Sequence, residues 1–238
     1  DLASHGVATN LSHMAAPAGQ TGVCLVMVTP DAERSMSTFL GATAELDHSA
    51  LHPHDIERAK VYYMEGYLAA SPTGLDAALR GRAIAAQAGA ALALTLSDMS
   101  MIQFCRAGLD AMLGQGVDYL FCNLEEAQVW CGTQDLAAIR TQLQALAHTV
   151  CLTQGAQGSE ILQGGHSLHV PATPVKAVDT NGAGDMFAGC FLFAITHGHS
   201  AEVAAQLANR AAAQVVGQHG NRLTREQLQN LKAAVIPA

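Results

Sequence analysis

The chain has 238 residues, with 12 Lys or Arg against 20 Asp or Glu, so its formal net charge is −8. That acidic balance excludes a nucleic-acid groove, which needs an excess of basic side chains to displace counterions from phosphates. Hydrophobic residues make up 50% of the sequence, which excludes global disorder and is enough for one sizeable core.

Two kinds of segment alternate along the chain. Short apolar runs predict strands at 23–29, 35–39, 61–65, 91–96, 119–122, 150–153, 160–162, 168–170 and 175–178. Helical spacing of apolar residues predicts helices at 75–88, 102–113, 125–130, 136–148, 184–196, 201–216 and 224–234. Gly164-Gly165 predicts a hairpin turn between two of the strands. This alternation is typical of α/β proteins, so the sequence predicts one doubly wound domain with a mostly parallel sheet and a helix-rich C-terminus.

Membrane-spanning runs, signal patterns and cysteine spacing are the sequence features that predict the compartment and the partners. It shows neither a membrane-spanning run nor an N-terminal signal pattern. The six cysteines form no C-x-x-C pair and several fall in predicted strands, so we predict buried free thiols. We therefore predict a cytoplasmic protein that binds small molecules, without a nucleic-acid or membrane partner, and with a homodimer as a candidate assembly.

Polar residues follow the apolar strands at several strand ends. In doubly wound sheets, ligands bind beyond the carboxyl ends of the strands. That rule selects Glu65-Gly66-Tyr67, Ser97-Asp98, 123–126 and 153–155, and the turn at 179–185 makes a fifth place. These five places are the predicted lining of one site.

The strongest chemical signal is D-T-N-G-A-G-D at 179–185, which leads into an apolar helix. Glycines allow close approach of the backbone to a ligand, and N–H groups at a helix N-terminus form an anion site. Asp185 would lie in the first helical turn, where it would repel a bound anion. Its position makes sense if it accepts a proton from a hydroxyl that attacks a bound phosphoryl group. The alternative is that Asp185 simply stabilises the helix N-terminus, where acids are favourable.

Other nucleotide motifs fit less well. A P-loop needs a lysine after its glycines, and the sequence has no such lysine. The spacing Gly182-x-Gly184-x-x-x-Ala188 loosely matches a dinucleotide fingerprint of an NADP-binding domain, but the strand with a ribose-binding acid does not follow. Asn123 and Glu126 also fit an ordinary helix cap, with an acid at the third position.

The D-T-N-G-A-G-D stretch resembles the C-terminal signature of the ribokinase-like (PfkB) carbohydrate and nucleoside kinases. The resemblance covers nearly the whole chain in order, with Asn123-x-x-Glu126, then T-Q-G-A-Q-G at 153–158, then the signature, then Asn209. It implies a kinase, a phosphotransferase with an alcohol group as acceptor, that uses ATP as co-substrate. It also implies that Asp185 is the catalytic base and that the Gly182, Ala183 and Gly184 amides stabilise the transferring phosphoryl group.

The same resemblance implies the remaining roles. The ATP site would contain Asn123, Thr153, Gly155, Gly158 and Asn209. Glu126, with Asn123, would act on Mg²⁺ through its waters. A monovalent cation, K⁺, would be held by the backbone around Asp179, Asn181 and Gly220.

Few residues of the sequence indicate which molecule accepts the phosphoryl group. Arg34 is a rare cation in an acidic chain, and a planar guanidinium suits a phosphoryl or ribose oxygen, although a solvated hairpin arginine is the alternative. The region around it and Asn181 resemble the adenosine-kinase-like branch more than the fructokinases. We therefore predict ATP-dependent phosphotransfer to a hydroxyl of a nucleoside or sugar, with adenosine first. The alternatives are a sugar kinase, or a nucleotide-binding module without phosphotransfer.

The resemblance also has a gap. Family members carry a strand-rich lid, a glycine pair and a sugar-binding acid ahead of the position that Asp1 occupies here. The resemblance therefore implies that residues 1–238 form a single ribokinase-like domain that lacks the N-terminal lid and substrate portion.

Overall fold

The computed structural model describes residues 5–9, 19–29 and 34–236. Its strands are β1 (Val23–Val28), β2 (Arg34–Phe39), β3 (Val61–Glu65), β4 (Ala91–Thr95), β5 (Val117–Asn123), β6 (Ala147–Thr153), β7 (Ser159–Gln163) and β8 (His166–Val170). Its helices are α1 (Pro53–Arg58), α2 (Pro72–Ala88), α3 (Met99–Phe104), α4 (Arg106–Leu113), α5 (Leu124–Cys131), α6 (Leu136–Gln144), α7 (Ala183–Thr196), α8 (Ala201–Val216) and α9 (Arg225–Val235).

The central sheet has six strands in the order β3-β4-β5-β6-β7-β8. The four strands from β3 to β6 pair in parallel, while β7 and β8 continue the sheet in antiparallel fashion. Strands β1 and β2 form a separate antiparallel ribbon. The predicted mostly parallel α/β sheet is confirmed, as is the turn at 164–165, which joins β7 to β8.

The central strands β4 and β5 are buried on both faces, and this explains their apolar runs. Along β4, Leu94 packs with helices α2, α4, α5 and α6 in one core, while its neighbour Ala93 packs with α7 and α8 in the other. In β5, Leu120 belongs to the first of these cores and Phe121 to the second. A strand covered on both sides has no polar face, so its sequence does not alternate.

Three predictions about elements are corrected. The predicted helix 102–113 is two helices, α3 and α4, because the chain leaves the helical conformation at Cys105. The guanidinium of Arg106 lies 3.4 Å from the centre of the Trp130 ring, a tertiary contact that fixes the start of α4. The predicted helix 136–148 ends at Gln144, and β6 begins at Ala147.

The predicted strand 175–178 is irregular. Val178 and Asp179 both donate backbone hydrogen bonds to the carbonyl of Val216, at 2.8 and 3.2 Å, so this segment is tied to the end of α8 rather than to the sheet. The six cysteines all lie in described ranges and are free, as predicted. Cys122 and Cys151 are buried, but Cys24 is exposed on the ribbon, so the prediction of burial is wrong there. No helix within the described ranges is both long and apolar enough to cross a membrane.

Candidate active site

The carboxyl ends of the parallel strands meet along one edge of the sheet. Glu65, at the end of β3, lies opposite Thr95 of β4. Asn123, at the end of β5, lies opposite Thr153 of β6. The order of the strands therefore brings the polar residues predicted at four strand ends to one edge, with Glu65 at one side and Thr153 at the other.

Helix α7 begins at a left-handed glycine. Gly182 is its N-cap at φ 77°, and a β-carbon there would lie 2.5 Å from the β-carbon of Asn221. Ala183, Gly184 and Asp185 then form the first turn, whose N–H groups have no partners inside the helix. Such a turn attracts negative charge and suits a phosphoryl group.

Asp179 joins the signature loop to the loop that precedes Asn221. One carboxylate oxygen accepts the N–H of Asn181 at 2.9 Å, and the other accepts the N–H of Gly220 at 3.4 Å. The structure thus brings together the three residues predicted to surround K⁺. These two contacts hold the loops together, and the cation stays a prediction.

Asp185 is exposed and lies on a cleft of about 320 Å³, a size at the lower end of ligand pockets. Glu65 and Tyr67 lie on the same cleft, and the apolar side chains of Leu40, Leu46 and Leu68 form another part of its wall. Asp185 is the acid in the first turn of α7 and makes no capping hydrogen bond within the described residues, so its carboxylate stabilises the helix N-terminus by charge alone and remains exposed to the cleft. The cleft combines a carboxylate pair with an apolar wall.

The two carboxylates affect each other. Partial burial raises the pKa of Glu65, and the charge of Asp185 raises that pKa further, whereas Ser97 and the nearby Tyr63 hydroxyl act to lower it. Burial, followed by the charges of Glu65 and Asp185, also raises the pKa of Tyr63, which therefore stays a neutral donor at physiological pH. A ligand whose hydroxyls donate hydrogen bonds to these carboxylates suits this place better than an anion does.

Asn123 and Glu126 form a reciprocal capping box at the start of α5. The Asn123 side chain accepts the Glu126 N–H at 2.8 Å, and the Glu126 carboxylate accepts the Asn123 N–H at 3.0 Å and its side-chain amide at 2.8 Å. Asn123 and Glu126 therefore do form the helix cap that the sequence predicts. This cap does not use all the lone pairs of the carboxylate, which lies at the strand edge where a ligand is expected.

The residues present fit magnesium in one specific way. Among the described residues, no group of three or more His, Cys, Asp or Glu side chains could hold a metal ion. Mg²⁺ usually keeps several waters and binds through one or two carboxylates plus substrate phosphates, so a single carboxylate such as Glu126 is a suitable protein contact. That contact would be made through water, as the sequence predicts.

The predicted nucleotide residues fall into two groups. Thr153 and Gly155 lie at the edge of the sheet, in the turn between β6 and β7. Gly158, at φ 98°, closes that turn against the end of β8, where a β-carbon would lie 2.2 Å from the carbonyl oxygen of Val170. The buried Asn209 donates to the same carbonyl at 2.9 Å. Asn209 thus ties α8 to β8, and its contact with a nucleotide stays a prediction.

Three candidate residues remain: Arg34, which has a predicted role, and Glu65 and Ser97, which have none. Arg34 begins β2, but its side chain lies outside the described part of the structure. Glu65 and Ser97 were singled out as polar strand ends without a role, and the structure places Glu65 on the cleft with Asp185 and Ser97 in contact with Glu65. The strand-end rule found their positions, but the pairing with Asp185 depends on the packing of α7.

Three solved structures show how close the fold is to known proteins. A probable sugar kinase from Rhizobium etli CFN 42 is 34% identical, with a TM-score of 0.92 over 98% of this chain and 71% of that one. The adenosine kinase of Sinorhizobium meliloti is 34% identical, with a TM-score of 0.86 over 90% and 66% of the two chains. The adenosine kinase of Anopheles gambiae, solved in complex with P1,P4-di(adenosine-5) tetraphosphate, is 26% identical, with a TM-score of 0.78 over 86% and 65%.

Curated adenosine kinases match over most of this chain, at 28–30% identity, while the chain spans 58–64% of their length. A family model described as pfkB family carbohydrate kinase matches residues 1–228. This match, together with the signature at 179–185 and the position of Asp185 on the cleft, agrees with the resemblance found in the sequence. The chain belongs to the pfkB family of carbohydrate kinases.

Proposed function

We propose that the protein transfers a phosphoryl group from ATP, bound with Mg²⁺, to a hydroxyl of a nucleoside, with adenosine as the first candidate. The observation that carries the proposal is the position of Asp185 in the first turn of α7, on the cleft that Glu65 also lines. An acid next to an anion-binding helix N-terminus is suited to take a proton from an attacking hydroxyl.

Each part of the proposed reaction has residues in this chain. The N–H groups at Gly182, Ala183 and Gly184 bind the transferring group, and Asp185 accepts the proton of the acceptor hydroxyl at its carboxylate. Magnesium, when bound, neutralises phosphate charge, with Glu126 holding its waters. The turn at 153–158 lies beside Asn123 and forms the nucleotide end of the site.

The cleft supports an acceptor with two different faces. Leu40, Leu46 and Leu68 offer an apolar wall, whereas Glu65 and Asp185 accept hydrogen bonds from hydroxyls. A nucleoside has an apolar base and a hydroxyl-bearing ribose, and it matches both. The similarity to adenosine kinases supports the same choice.

A sugar acceptor is the second candidate. The Glu65 carboxylate favours a ligand with several hydroxyls, and the similarity to a probable sugar kinase over 98% of the chain supports this alternative. Cytoplasmic location, homodimer formation and K⁺ binding remain predictions from the sequence.

The test is Asp185→Asn, assayed by ADP release with adenosine, ribose and fructose as acceptors. Loss of a general base lowers the rate by about 10²–10⁴-fold, while ADP binding by calorimetry should not weaken. An unchanged kcat would refute the role of Asp185. If the unmodified protein binds ATP·Mg but phosphorylates none of the three acceptors, a nucleotide-binding module is the better interpretation.

A further inference from the structure

Ser97 has an unusual backbone for its residue type. It follows β4 at the edge of the sheet that forms the site, with φ 71°, and no other non-glycine residue in the described ranges has a positive φ. A left-handed conformation is unfavourable for a residue with a β-carbon, because that carbon comes too close to the backbone carbonyl oxygen. Such strain persists only where surrounding contacts enforce it, and it concentrates at functional sites.

Ser97 contacts Thr95 at the end of β4, where its N–H donates to the Thr95 hydroxyl at 3.2 Å, and its other contacts go to the end of β3. Its hydroxyl oxygen accepts the N–H of Gly66 at 2.8 Å, and the hydroxyl of Tyr67 donates to its carbonyl at 3.4 Å. The hydroxyl of Ser97 donates to Oε2 of Glu65 at 3.4 Å. Ser97 therefore contacts three consecutive residues, of which Glu65 and Tyr67 line the cleft.

The single hydroxyl proton of Ser97 has two acceptors within reach. The carbonyl of Thr95 lies at 3.5 Å and the Glu65 carboxylate at 3.4 Å. Hydrogen bonds to an ionised acceptor are about twice as strong as those to a neutral one, so the proton goes to ionised Glu65. The separation is long for such a bond, as is common at active sites before the substrate binds.

We propose that Ser97 is a positioning residue for the acceptor: its hydroxyl, held by the left-handed backbone, fixes the Glu65 carboxylate opposite Asp185, where Glu65 accepts a second hydroxyl of the acceptor. The inference rests on the proposed phosphotransfer and adds to it that the acceptor carries at least two hydroxyls on one ring. Without Ser97, the Glu65 carboxylate would keep the Tyr63 hydroxyl as a donor but would lose the donor on the side of β4 that opposes its repulsion from Asp185.

Two variants separate this role from a purely structural one. Ser97→Ala removes the hydroxyl and keeps the strain, whereas Ser97→Gly removes both, because glycine adopts positive φ at no steric cost. Both should raise KM for adenosine about tenfold, the worth of one hydrogen bond to a charged group, with KM for ATP unchanged. Ser97→Gly should unfold at a temperature no lower than Ser97→Ala.

Glu65→Gln supplies the second half of the test. If Ser97 acts through the ionised carboxylate, adding Ser97→Ala to Glu65→Gln should change KM for adenosine by less than about twofold. Ser200→Ala is the matched control, because that hydroxyl caps α8 by accepting the Val203 N–H and has no described contact with Glu65. The control should keep KM for both substrates.

A readout that needs no turnover completes the experiment. Carbon-13 NMR of labelled glutamate, with Glu65 assigned by Glu65→Gln, follows the titration of this carboxyl in the presence of its neighbours Asp185 and Tyr63. Ser97→Ala should shift the Glu65 midpoint to higher pH, since a donor to the charged form is lost. An unmoved midpoint, an unchanged KM for adenosine, or an equal effect of Ser97→Ala in both backgrounds would overturn the proposal. If the unmodified protein phosphorylates none of adenosine, ribose and fructose, the proposed function fails and the role of Ser97 fails with it, even where the midpoint moves.

Discussion

Gly182 at the start of α7 offers the sharpest test of the phosphoryl site. A β-carbon there would lie 2.5 Å from the β-carbon of Asn221, whereas unbonded carbons prefer about 3.5–4.0 Å. Gly182→Ala must therefore move the first turn of α7 and the Asn221 loop apart by about 1 Å. A misplacement of about 1 Å can cost about 100-fold in rate, so we expect kcat to fall about 100-fold. The left-handed backbone at φ 77° adds a stability cost of about 1–2 kcal/mol.

Gly89 provides a control with nearly the same backbone. It ends α2 at φ 78°, and no atom of the described residues lies within 4 Å of the β-carbon that alanine would add. Gly89→Ala should therefore lose about 1–2 kcal/mol in urea denaturation while kcat stays within about twofold. ADP release under saturating ATP and adenosine measures kcat for both variants. If both lose the same stability and neither loses kcat, the first turn of α7 does not hold the transferring group.

Three further predictions concern the rest of the edge. Glu65→Gln should raise the melting temperature at pH 7–8, because burial and Asp185 raise the pKa of Glu65 and disfavour its charged form. This gain in melting temperature should vanish below about pH 4, where the carboxyl is protonated in both the folded and unfolded states. Glu126→Gln should raise the Mg²⁺ concentration for half-maximal rate at least about tenfold in a magnesium titration, and an unchanged value would exclude Glu126 from the metal site. Gly158→Ala should weaken ADP binding in calorimetry about tenfold or more, because the added β-carbon would lie 2.2 Å from the Val170 carbonyl oxygen. Gly155→Ala is the control and should weaken ADP binding less, because there is open space around that position.

Much of the fold could be predicted because burial on both faces leaves a simple trace in the sequence. Strand β4 is an unbroken apolar run from Ala91 to Leu94, and it lies between two helical layers. The break at Cys105 could not be predicted in the same way. It lies next to the contact of Arg106 with the Trp130 ring, which joins residues far apart in the sequence and leaves no mark on the helical spacing.

The site was predictable in its parts and less so in its arrangement. Glu65 and Asn123 could be predicted as site residues because they end parallel strands, and parallel strands end at one edge of the sheet. Asp185 could be predicted from the signature at 179–185. That Glu65 lies across a cleft from Asp185 follows from how α7 packs on the sheet, which spacing does not reveal. The left-handed backbone of Ser97 was invisible for a related reason, since serine gives no local signal for positive φ.

The distribution of charge along the edge argues for one direction of transfer. At the end near β3, Glu65 and Asp185 repel each other and any phosphate, and they are relieved by the hydroxyl donors of an acceptor. The first turn of α7 presents N–H groups, and at β5 the Glu126 carboxylate is already engaged by two donors from Asn123. The two carboxylates therefore disfavour a polyphosphate at the acceptor end, whereas the N–H groups of the α7 N-terminus, in the same turn as Asp185, attract the charge of a single phosphoryl group. In the proposed reaction the transferring group would therefore lie beside Asp185, and the nucleotide that leaves it would extend toward β6.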